Sequence, residues 1–321
     1  SSDGASCRAR RLVVSLGTIP GRNCTQTVLS LLNQTCQPDR VYVALGGHRL
    51  VDSPAFKAPS ALLRLENGTV GRIVLRVINA SEDEGPASKY LFTLRQEKQP
   101  NTLILVVDDD CEYPPTFVAA VKAQLIAHGR GHSVGGSGVR LVANFTRHVI
   151  ARGSPDKPCA MQLPSLAGEH ATNVFGYALR DGCRLRVDVK QGMFGIGFWR
   201  GDVDETRLSG LAHAAPPYLR FSADDLLLAT EMQSGRPLVQ RWLVPLPLPH
   251  LLADQARVRR LNGGSFRCRA RRGTWRGRSQ LTTHYQLSVL WLQRAFVAWT
   301  HVDLSGIDVG EVRERCGWAE L

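Results

Sequence analysis

The chain has 321 residues, and its 40 Lys and Arg residues exceed its 28 Asp and Glu residues, which gives a formal charge of +12. An apolar share of 43% is enough for a sizeable core and excludes a disordered or collagen-like chain. We expect no membrane span in this chain, because no stretch approaches the roughly 18 uninterrupted apolar residues that one requires.

Strands alternate with helices in the first part of the chain. Two β-branched apolar runs with a helically spaced segment between them form a βαβ unit, which requires a parallel sheet. The run at 102–107 is continuously apolar, as is typical of a central strand covered on both faces. The predicted elements here are strands at 11–16, 41–45, 73–78 and 102–107, and helices at 25–32 and 87–96.

The second part of the chain is less regular. Glycines interrupt both strand candidates, 147–172 is predicted to be an irregular excursion, and the prolines of 245–249 exclude regular structure there. The predicted elements are strands at 133–142 and 188–199, and helices at 117–127, 223–232 and 284–300.

Three acids, Asp108, Asp109 and Asp110, follow the central strand where it ends. Side chains alternate along an extended chain, so Asp108 and Asp110 can point to one side. Ligand sites of open α/β sheets form beyond the carboxyl ends of strands. Two carboxylates roughly 6 Å apart repel by about 3 kcal/mol at an effective dielectric near 20. The cluster therefore indicates a site for Mg²⁺, Mn²⁺ or Ca²⁺, with a solvated acidic turn as the structural alternative.

Five sequence segments, in the same order, resemble the motifs of GT-A-type glycosyltransferase domains. The segments are SLGTIPGR at 15–22 with 32–35 and 38–42, EGPASKY at 84–90, the DDD (DxD) motif with Tyr113-Pro114, 187–195, and ADD at 223–225. The resemblance covers roughly residues 11 to 235 and includes algal and large-DNA-virus enzymes of the family 2-like group. The chain departs from the pattern at Gly17 and Ser88, where Thr is common.

The resemblance implies an α/β GT-A fold, with a mostly parallel central sheet flanked by helices (Rossmann-like). Residues 1–240 would form the nucleotide-sugar-binding and catalytic domain. Residues 241–321 would form a helical C-terminal extension, with a basic loop and an amphipathic helix, packed on the same domain.

The resemblance also implies a nucleotide-sugar donor, expected to be a UDP-sugar, and a divalent ion, Mn²⁺ or Mg²⁺, between its diphosphate and the acids. The expected donor-binding residues are Thr18, Pro20, Arg22, Lys89, Asp108 and Asp109. The expected metal ligands are Asp110, Asp108 and His250, with His284 as the alternative to His250. The expected sugar-binding residues are Asp188, Gly192 and Phe194.

Asp224 and Asp225 open a predicted helix and are the candidates for the base that deprotonates an acceptor hydroxyl. We prefer Asp225 and keep Asp224 as the alternate. Ser222 to Asp225 also matches a helix capping box, which is the structural alternative for Asp225. A positioned aspartate base favours inversion at the anomeric carbon.

Eight cysteines and five Asn-X-Ser/Thr sequons favour a disulfide-bonded glycoprotein of the secretory pathway. We expect the Golgi lumen, with the chain as the trimmed luminal portion of a type II membrane protein. Eight cysteines allow 105 full pairings, so no connectivity is assigned. A cytosolic protein with buried free thiols is the alternative. Of the sequons, Asn67, Asn79 and Asn144 are the expected glycan sites, and Asn23 and Asn33 are not.

Two other function classes remain open: a nucleotidyltransferase on a similar fold, and a basic module that binds a polyanion or glycan without catalysis. The segment 257–278 contains nine arginines and no acid. It contains only two aromatic residues and no nucleic-acid-binding signature, so we expect no nucleic acid partner. A glycan or glycoprotein acceptor of acidic character, or anionic lipid heads, suits it better.

Overall fold

The fold was obtained as a computed structural model. It describes residues 10–19, 22–46, 58–69, 71–78, 83–140, 172–175, 184–190, 192–220, 224–235, 238–247, 249–252 and 292. The strands in these ranges are β1 (Leu12–Thr18), β2 (Arg40–Leu45), β3 (Ile73–Val77), β4 (Leu103–Val106), β5 (Cys111–Glu112), β6 (His132–Gly135), β7 (Ser137–Arg140), β8 (Thr172–Phe175), β9 (Leu185–Arg186), β10 (Val189–Lys190), β11 (Ile196–Trp199), β12 (Gln240–Leu243) and β13 (His250–Leu251). The α-helices are α1 (Thr25–Leu32), α2 (Ser60–Gly68), α3 (Ser88–Gln96), α4 (Phe117–His128), α5 (Glu205–Ala214), α6 (Pro217–Arg220) and α7 (Asp224–Ser234).

Eight of these strands form one sheet, in the order β3-β2-β1-β4-β11-β6-β12-β9. The pairs β2–β3, β1–β2, β1–β4 and β6–β12 are parallel. Strand β11 runs antiparallel between β4 and β6, and β9 is antiparallel to β12. A mostly parallel central sheet flanked by helices confirms the predicted α/β class. The predicted helical C-terminal extension lies outside the described residues.

Alternation along the central strands divides the core into two layers. Val13 and Val106 belong to the layer under α3, α5 and α7, whereas Val14 and Leu105 belong to the layer under α1, α2 and α4. All four side chains are fully buried. Strand β4 is continuously apolar because helices bury both faces of the sheet at this strand, as predicted.

Close contacts at the carboxyl end of β1 fix the start of α3. The Ser15 hydroxyl donates to the backbone oxygen of Lys89 and lies 2.6 Å from Thr93 Oγ1. A Cβ atom on Gly17 would lie 3.1 Å from Lys89 Cβ. The first turn of α3 therefore packs directly against β1, which places Lys89 at the edge of the sheet where β4 ends.

The two glycine-interrupted strands predicted at 133–142 and 188–199 are each divided. The first becomes β6 and β7, because Gly136 leaves the ladder and its N–H donates to Phe194 O at 3.1 Å. The second becomes β10, a 3₁₀ turn at Gly192–Phe194, and β11, with Gly195 at φ 76° between the last two. A Cβ atom on Gly135 would approach Gly195 O to 2.5 Å, so the segments meet backbone to backbone.

Three helices of the described ranges, α2, α5 and the short α6, were not predicted from the sequence. Strand β12 extends the central sheet across the predicted domain boundary at 240. Of the predicted helix at 284–300, the structure describes only Leu292, which is buried in the core. Of the predicted excursion at 147–172, it describes only residue 172. None of the helices in the described ranges is both long enough and apolar enough to cross a bilayer.

Cys24 and Cys111 are free thiols that are buried in the core. Burial is the main cause that raises the pKa of Cys24, to about 12. The eight cysteines therefore do not form four disulfides, and these two behave as small apolar core residues.

Candidate active site

Lys89 lies among three carboxylates at the carboxyl end of the central strands. Its Nζ is 3.0 Å from Asp224 Oδ2, 3.2 Å from Asp108 Oδ1 and 3.9 Å from Asp225 Oδ1. The Lys89 side chain is 8% exposed, so its charge is largely removed from water. Helix α3, the end of β4 and the start of α7 therefore meet at one ammonium group.

Burial and neighbouring charges act on this cluster in opposite directions. Burial alone would lower the pKa of Lys89, but the carboxylates of Asp224, Asp108 and Asp225 together raise it well above 10.5. Burial also raises the pKa of Asp225 well above 3.8, and the negative charge of Asp224 adds to this while Lys89 opposes it. The cluster therefore combines a permanent cation with a carboxyl group that takes up a proton more readily than an ordinary aspartate.

The two acids at the start of α7 share Tyr90 and Lys89 as neighbours, but their shortest hydrogen bonds go to different residues. Asp224 Oδ2 accepts a hydrogen bond from the phenol of Tyr90. Asp225 Oδ2 accepts one from the backbone N–H of Gly192 at 3.3 Å. Asp225 thus faces the 3₁₀ turn before β11, whereas Asp224 faces α3.

Gly192 allows the turn to approach the ion pair. A Cβ atom at this position would lie 2.5 Å from Asp108 Oδ1 and 3.0 Å from Lys89 Nζ. Of the other predicted sugar-binding residues, Phe194 is buried beside Gly136. Asp188 is half-buried on the segment before β10. Burial lowers the pKa of Arg241 to about 10, and the charge of Asp188 opposes this shift. The structure therefore brings Gly192 to the acids and places Asp188 beside Arg241.

Arg22 and Asp109 form a second polar contact on the α1 side. Arg22 Nη1 donates to Asp109 Oδ1 at 2.6 Å, and the Thr27 hydroxyl donates to the Asp109 backbone oxygen at 2.9 Å. Burial is the main cause that raises the pKa of Asp109, and Arg22 opposes it. Arg22 and Asp109, both predicted to bind the nucleotide, thus bind each other. Thr18 is buried at the end of β1, and Pro20 lies outside the described residues.

The predicted metal ligands lie on paired backbone segments. Strand β13 pairs antiparallel with β5, with His250 opposite Glu112, and the N–H of Leu252 donates to Asp110 O at 2.9 Å. Asp110 is 1% exposed, and His250 is exposed. In the ranges that the structure covers, no three His, Cys, Asp or Glu side chains converge closely enough to hold a metal ion. The carboxylate oxygens of Asp108 and Asp110 fit Mn²⁺ or Mg²⁺ in chemical type, so the metal site stays a prediction. The alternative ligand His284 lies outside the described residues.

Sequence reasoning missed Tyr90 as a member of the site. The residue stands beside Lys89 in the EGPASKY segment, but an apolar-bodied tyrosine on a helix is ordinarily a core residue, and neighbouring helix positions do not usually face the same group. Its phenol nevertheless reaches the acids at the start of α7. No spacing in the sequence indicates this contact, because it joins residues 134 positions apart.

Comparison with known proteins gives distant structural likenesses only. No protein-family model matches the chain, and no curated protein matches it. The chain is similar to S. aureus TarS 1–349, with 14% identity over 95% of this chain and 77% of that chain, at a TM-score of 0.42. Glucosyl-3-phosphoglycerate synthase from Mycobacterium tuberculosis, in complex with Mn²⁺, UDP-glucose and phosphoglyceric acid, gives 16% identity over 41% of this chain and 45% of that chain, at a TM-score of 0.28. A 4-diphosphocytidyl-2C-methyl-D-erythritol synthase from Anaerococcus prevotii gives 8% identity over 65% of this chain and 76% of that chain, at a TM-score of 0.33. At these identities and TM-scores the likenesses assign no activity to this chain.

Proposed function

We propose that the protein is a glycosyltransferase of the GT-A type, which transfers a sugar from a nucleoside-diphosphate donor to a hydroxyl group of a glycan or glycoprotein. One observation carries this proposal. The separate motifs at 84–90, 108–110, 187–195 and 223–225 contribute Lys89, Asp108, Gly192 and the Asp224–Asp225 pair to a single cluster around the buried ammonium of Lys89. The cluster lies at the carboxyl end of the central strands, where open α/β sheets bind ligands.

Asp225 is the base in this proposal. The acceptor oxygen attacks the anomeric carbon, the bond from that carbon to the diphosphate oxygen breaks, and the acceptor proton passes to an Asp225 carboxylate oxygen. The nucleoside diphosphate leaves with the electron pair of the broken bond. A single displacement of this kind inverts the anomeric centre, and burial, by raising the pKa of Asp225, makes it a stronger proton acceptor than an ordinary aspartate.

Lys89 and the acids of the DDD motif bind the donor in this proposal. Asp108 and Asp110 would hold a divalent ion, Mn²⁺ or Mg²⁺, which when bound offsets the charge of the diphosphate. Lys89 supplies a fixed positive charge beside Asp108 Oδ1, at 3.2 Å. The Arg22–Asp109 pair keeps the loop after β1 against the DDD turn, next to the place proposed for the nucleotide.

The proposal has three further parts. The donor nucleotide is UDP, the acceptor is acidic, and the protein acts in the Golgi lumen. The acidic acceptor is supported by the arginines of 257–278, which lie outside the described residues. The secretory location is supported by the five sequons, of which Asn67 lies exposed on α2.

Calorimetric titration of the full chain with UDP, GDP, CDP and ADP, each with and without Mn²⁺, tests donor binding. We expect one diphosphate to bind in a Mn²⁺-dependent way. An absence of such binding across the panel would refute the proposal. Product analysis then separates the function classes, because a glycosyltransferase releases nucleoside diphosphate and a nucleotidyltransferase releases pyrophosphate.

The variant Asp225→Asn tests the base. We expect its sugar turnover to fall by about 10²- to 10⁴-fold, the usual contribution of a general base. Its affinity for the nucleoside diphosphate should equal that of the wild type. Asp204→Asn is the matched control, because Asp204 is an exposed N-cap of α5 and asparagine caps equally well. Turnover of Asp225→Asn close to that of the wild type would exclude Asp225 as the base and with it the inverting assignment.

A further inference from the structure

Tyr90 is fully buried, and its only polar group is directed at the acid pair of α7. The phenol donates to Asp224 Oδ2 and lies 3.4 Å from Asp225 Oδ1. Its ring also lies 5.3 Å from Lys89 Nζ, within cation–π range. Tyr90 therefore contacts Lys89 and both carboxylates of the proposed base pair.

These contacts make the two carboxyl groups unequal. Asp224 Oδ2 has two close donors, the Tyr90 phenol and the Lys89 ammonium at 3.0 Å. Asp225 has longer contacts, 3.3 Å to Gly192 N, 3.4 Å to the Tyr90 phenol and 3.9 Å to Lys89 Nζ. A carboxylate that already accepts two strong donors is a poorer proton acceptor than a neighbour that accepts none as closely.

We propose that Tyr90 is a positioning residue, which fixes Asp224 through its phenol so that Asp225 is the carboxylate that takes the acceptor proton. This inference rests on the proposed glycosyltransferase function and goes beyond it, since the two acids alone leave the choice of base open. Tyr90 acts through Asp224, which accepts its close hydrogen bond, whereas its contact with Asp225 Oδ1 is 3.4 Å long.

A second buried tyrosine, Tyr42, serves as the control for the loss of a buried phenol hydroxyl. Tyr42 is 1% exposed, and its phenol donates to Glu97 Oε1 at 2.7 Å. Glu97 is also bound by Arg11 at 2.7 Å, so this site repeats the arrangement of tyrosine, carboxylate and cation. Tyr42→Phe and Tyr90→Phe thus remove the same group from similar surroundings, one away from the acid pair and one beside it.

The experiment compares steady-state sugar turnover of the wild type, Tyr90→Phe and Tyr42→Phe in the full chain. We expect Tyr90→Phe to lower kcat by about 10- to 100-fold, as supporting hydrogen-bond partners typically do. The donor KM should stay within about twofold, since the proposed donor-binding groups are retained, and Tyr42→Phe should keep the kcat of the wild type. A kcat for Tyr90→Phe within twofold of the wild type would overturn the inference, as would equal losses in the two variants.

Asp224→Asn supplies a second variant. Its amide oxygen still accepts a hydrogen bond from Tyr90, so it should retain more turnover than Asp225→Asn. The reverse order would contradict the division of roles.

Urea denaturation separates failure of this inference from failure of the proposed function. If the wild type releases no diphosphate from any donor, the proposed function fails, and double-mutant cycles then test the contact itself. We expect stronger coupling of Tyr90→Phe with Asp224→Ala than with Asp225→Ala, because alanine removes the oxygen that accepts the Tyr90 hydrogen bond. Equal or absent coupling would show that Tyr90 does not fix Asp224.

Discussion

Replacing Lys89 by methionine should destabilise the protein strongly, because the side chain carries charge between three acids. At an effective dielectric near 20, the separations of 3.0, 3.2 and 3.9 Å correspond to attractions of about 6, 5 and 4 kcal/mol. Desolvation of the ammonium, several kcal/mol, offsets part of this. Removal of one partner from a buried ion cluster typically costs about 3–5 kcal/mol of unfolding free energy, and we expect Lys89→Met to fall in that range at pH 7.

The pH dependence of this loss has a definite sign. The pKa of Lys89 is raised in the folded state, so its contribution is present below pH 10.5 and is lost as the pH rises through the higher folded value. On the acid side the contribution also declines, because burial raises the pKa of Asp225 and its protonation removes one of the charges that Lys89 binds. The difference between Lys89→Met and the wild type should therefore be largest near neutral pH and smaller at pH 4.

Lys190 provides the matched comparison. It is 2% exposed, its Nζ donates to Ser133 Oγ at 2.7 Å, and the charge that chiefly acts on it is that of Arg241. Burial, with Arg241 adding to it, lowers the pKa of Lys190 well below 10.5, so the protonated amine disfavours folding at pH 7. We expect Lys190→Met to be neutral or stabilising.

Urea denaturation of both variants at pH 7 and pH 4, followed by fluorescence, measures the two effects. The two substitutions remove the same side chain from buried positions, so lost packing would affect them alike. Equal destabilisation of the two variants, or a Lys89→Met deficit that does not shrink at pH 4, would refute the electrostatic explanation.

Two further predictions concern Gly192 and Glu231. Gly192→Ala should lower sugar turnover by about 10²-fold, because the added Cβ would displace the Lys89–Asp108 ion pair by a fraction of an ångström or more. Gly210→Ala is the control: a Cβ there meets nothing within 4 Å, so turnover in the same assay should be unchanged. Burial chiefly raises the pKa of Glu231 from 4.5 to about 6, so its charge costs about 2 kcal/mol of stability above pH 6 and nothing below pH 4.5. Glu231→Gln should therefore gain stability relative to the wild type as the pH rises from 4.5 to 7 in urea titrations, and a constant difference across this range would contradict the assignment.

Most of the strands and helices before residue 130 followed from hydrophobic pattern. The predicted strand at 41–45 and helix at 25–32 match β2 and α1 closely, since each buries a regular apolar face. The divided strands at 133–142 and 188–199 could not be predicted in this way. Their breaks depend on the close backbone approach of Gly135 to Gly195, which is a contact between distant segments.

Helix α5 has a helix-start signal in its own sequence, at Asp204 and Glu205. Asp204 accepts hydrogen bonds from the N–H groups of Thr206 and Arg207, and Glu205 adds an acid to the first turn. These are the features of a helix start. Helix α2 has no such signal, because Pro59 precedes it without a capping side chain and Leu62 is its buried residue.

The acids of the site could be predicted from sequence, but their partners could not. A run of three aspartates at the end of an apolar strand indicates either a cation site or a solvated acidic turn, so Asp108 is a candidate from sequence alone. Lys89 is predicted to face a diphosphate, and the structure adds that it binds carboxylates and that Arg22 binds Asp109. Which charges meet depends on how closely α3 and the loop after β1 pack against the sheet, and residue type alone does not determine that distance.

The departure from the glycosyltransferase pattern at Gly17 has a physical explanation in the same packing. A Cβ at position 17 would lie 3.1 Å from Lys89 Cβ, tighter than ordinary van der Waals contact, and one at position 192 would lie 3.0 Å from Lys89 Nζ. Lys89 is thus enclosed by glycines at both ends of its side chain. A threonine at position 17 would push the start of α3 away from β1 and stretch the hydrogen bond from Ser15 to the Lys89 backbone oxygen. Because Lys89 then moves relative to Asp108 and Asp224, the glycine at position 17 sets the geometry of the acid cluster without touching an acid.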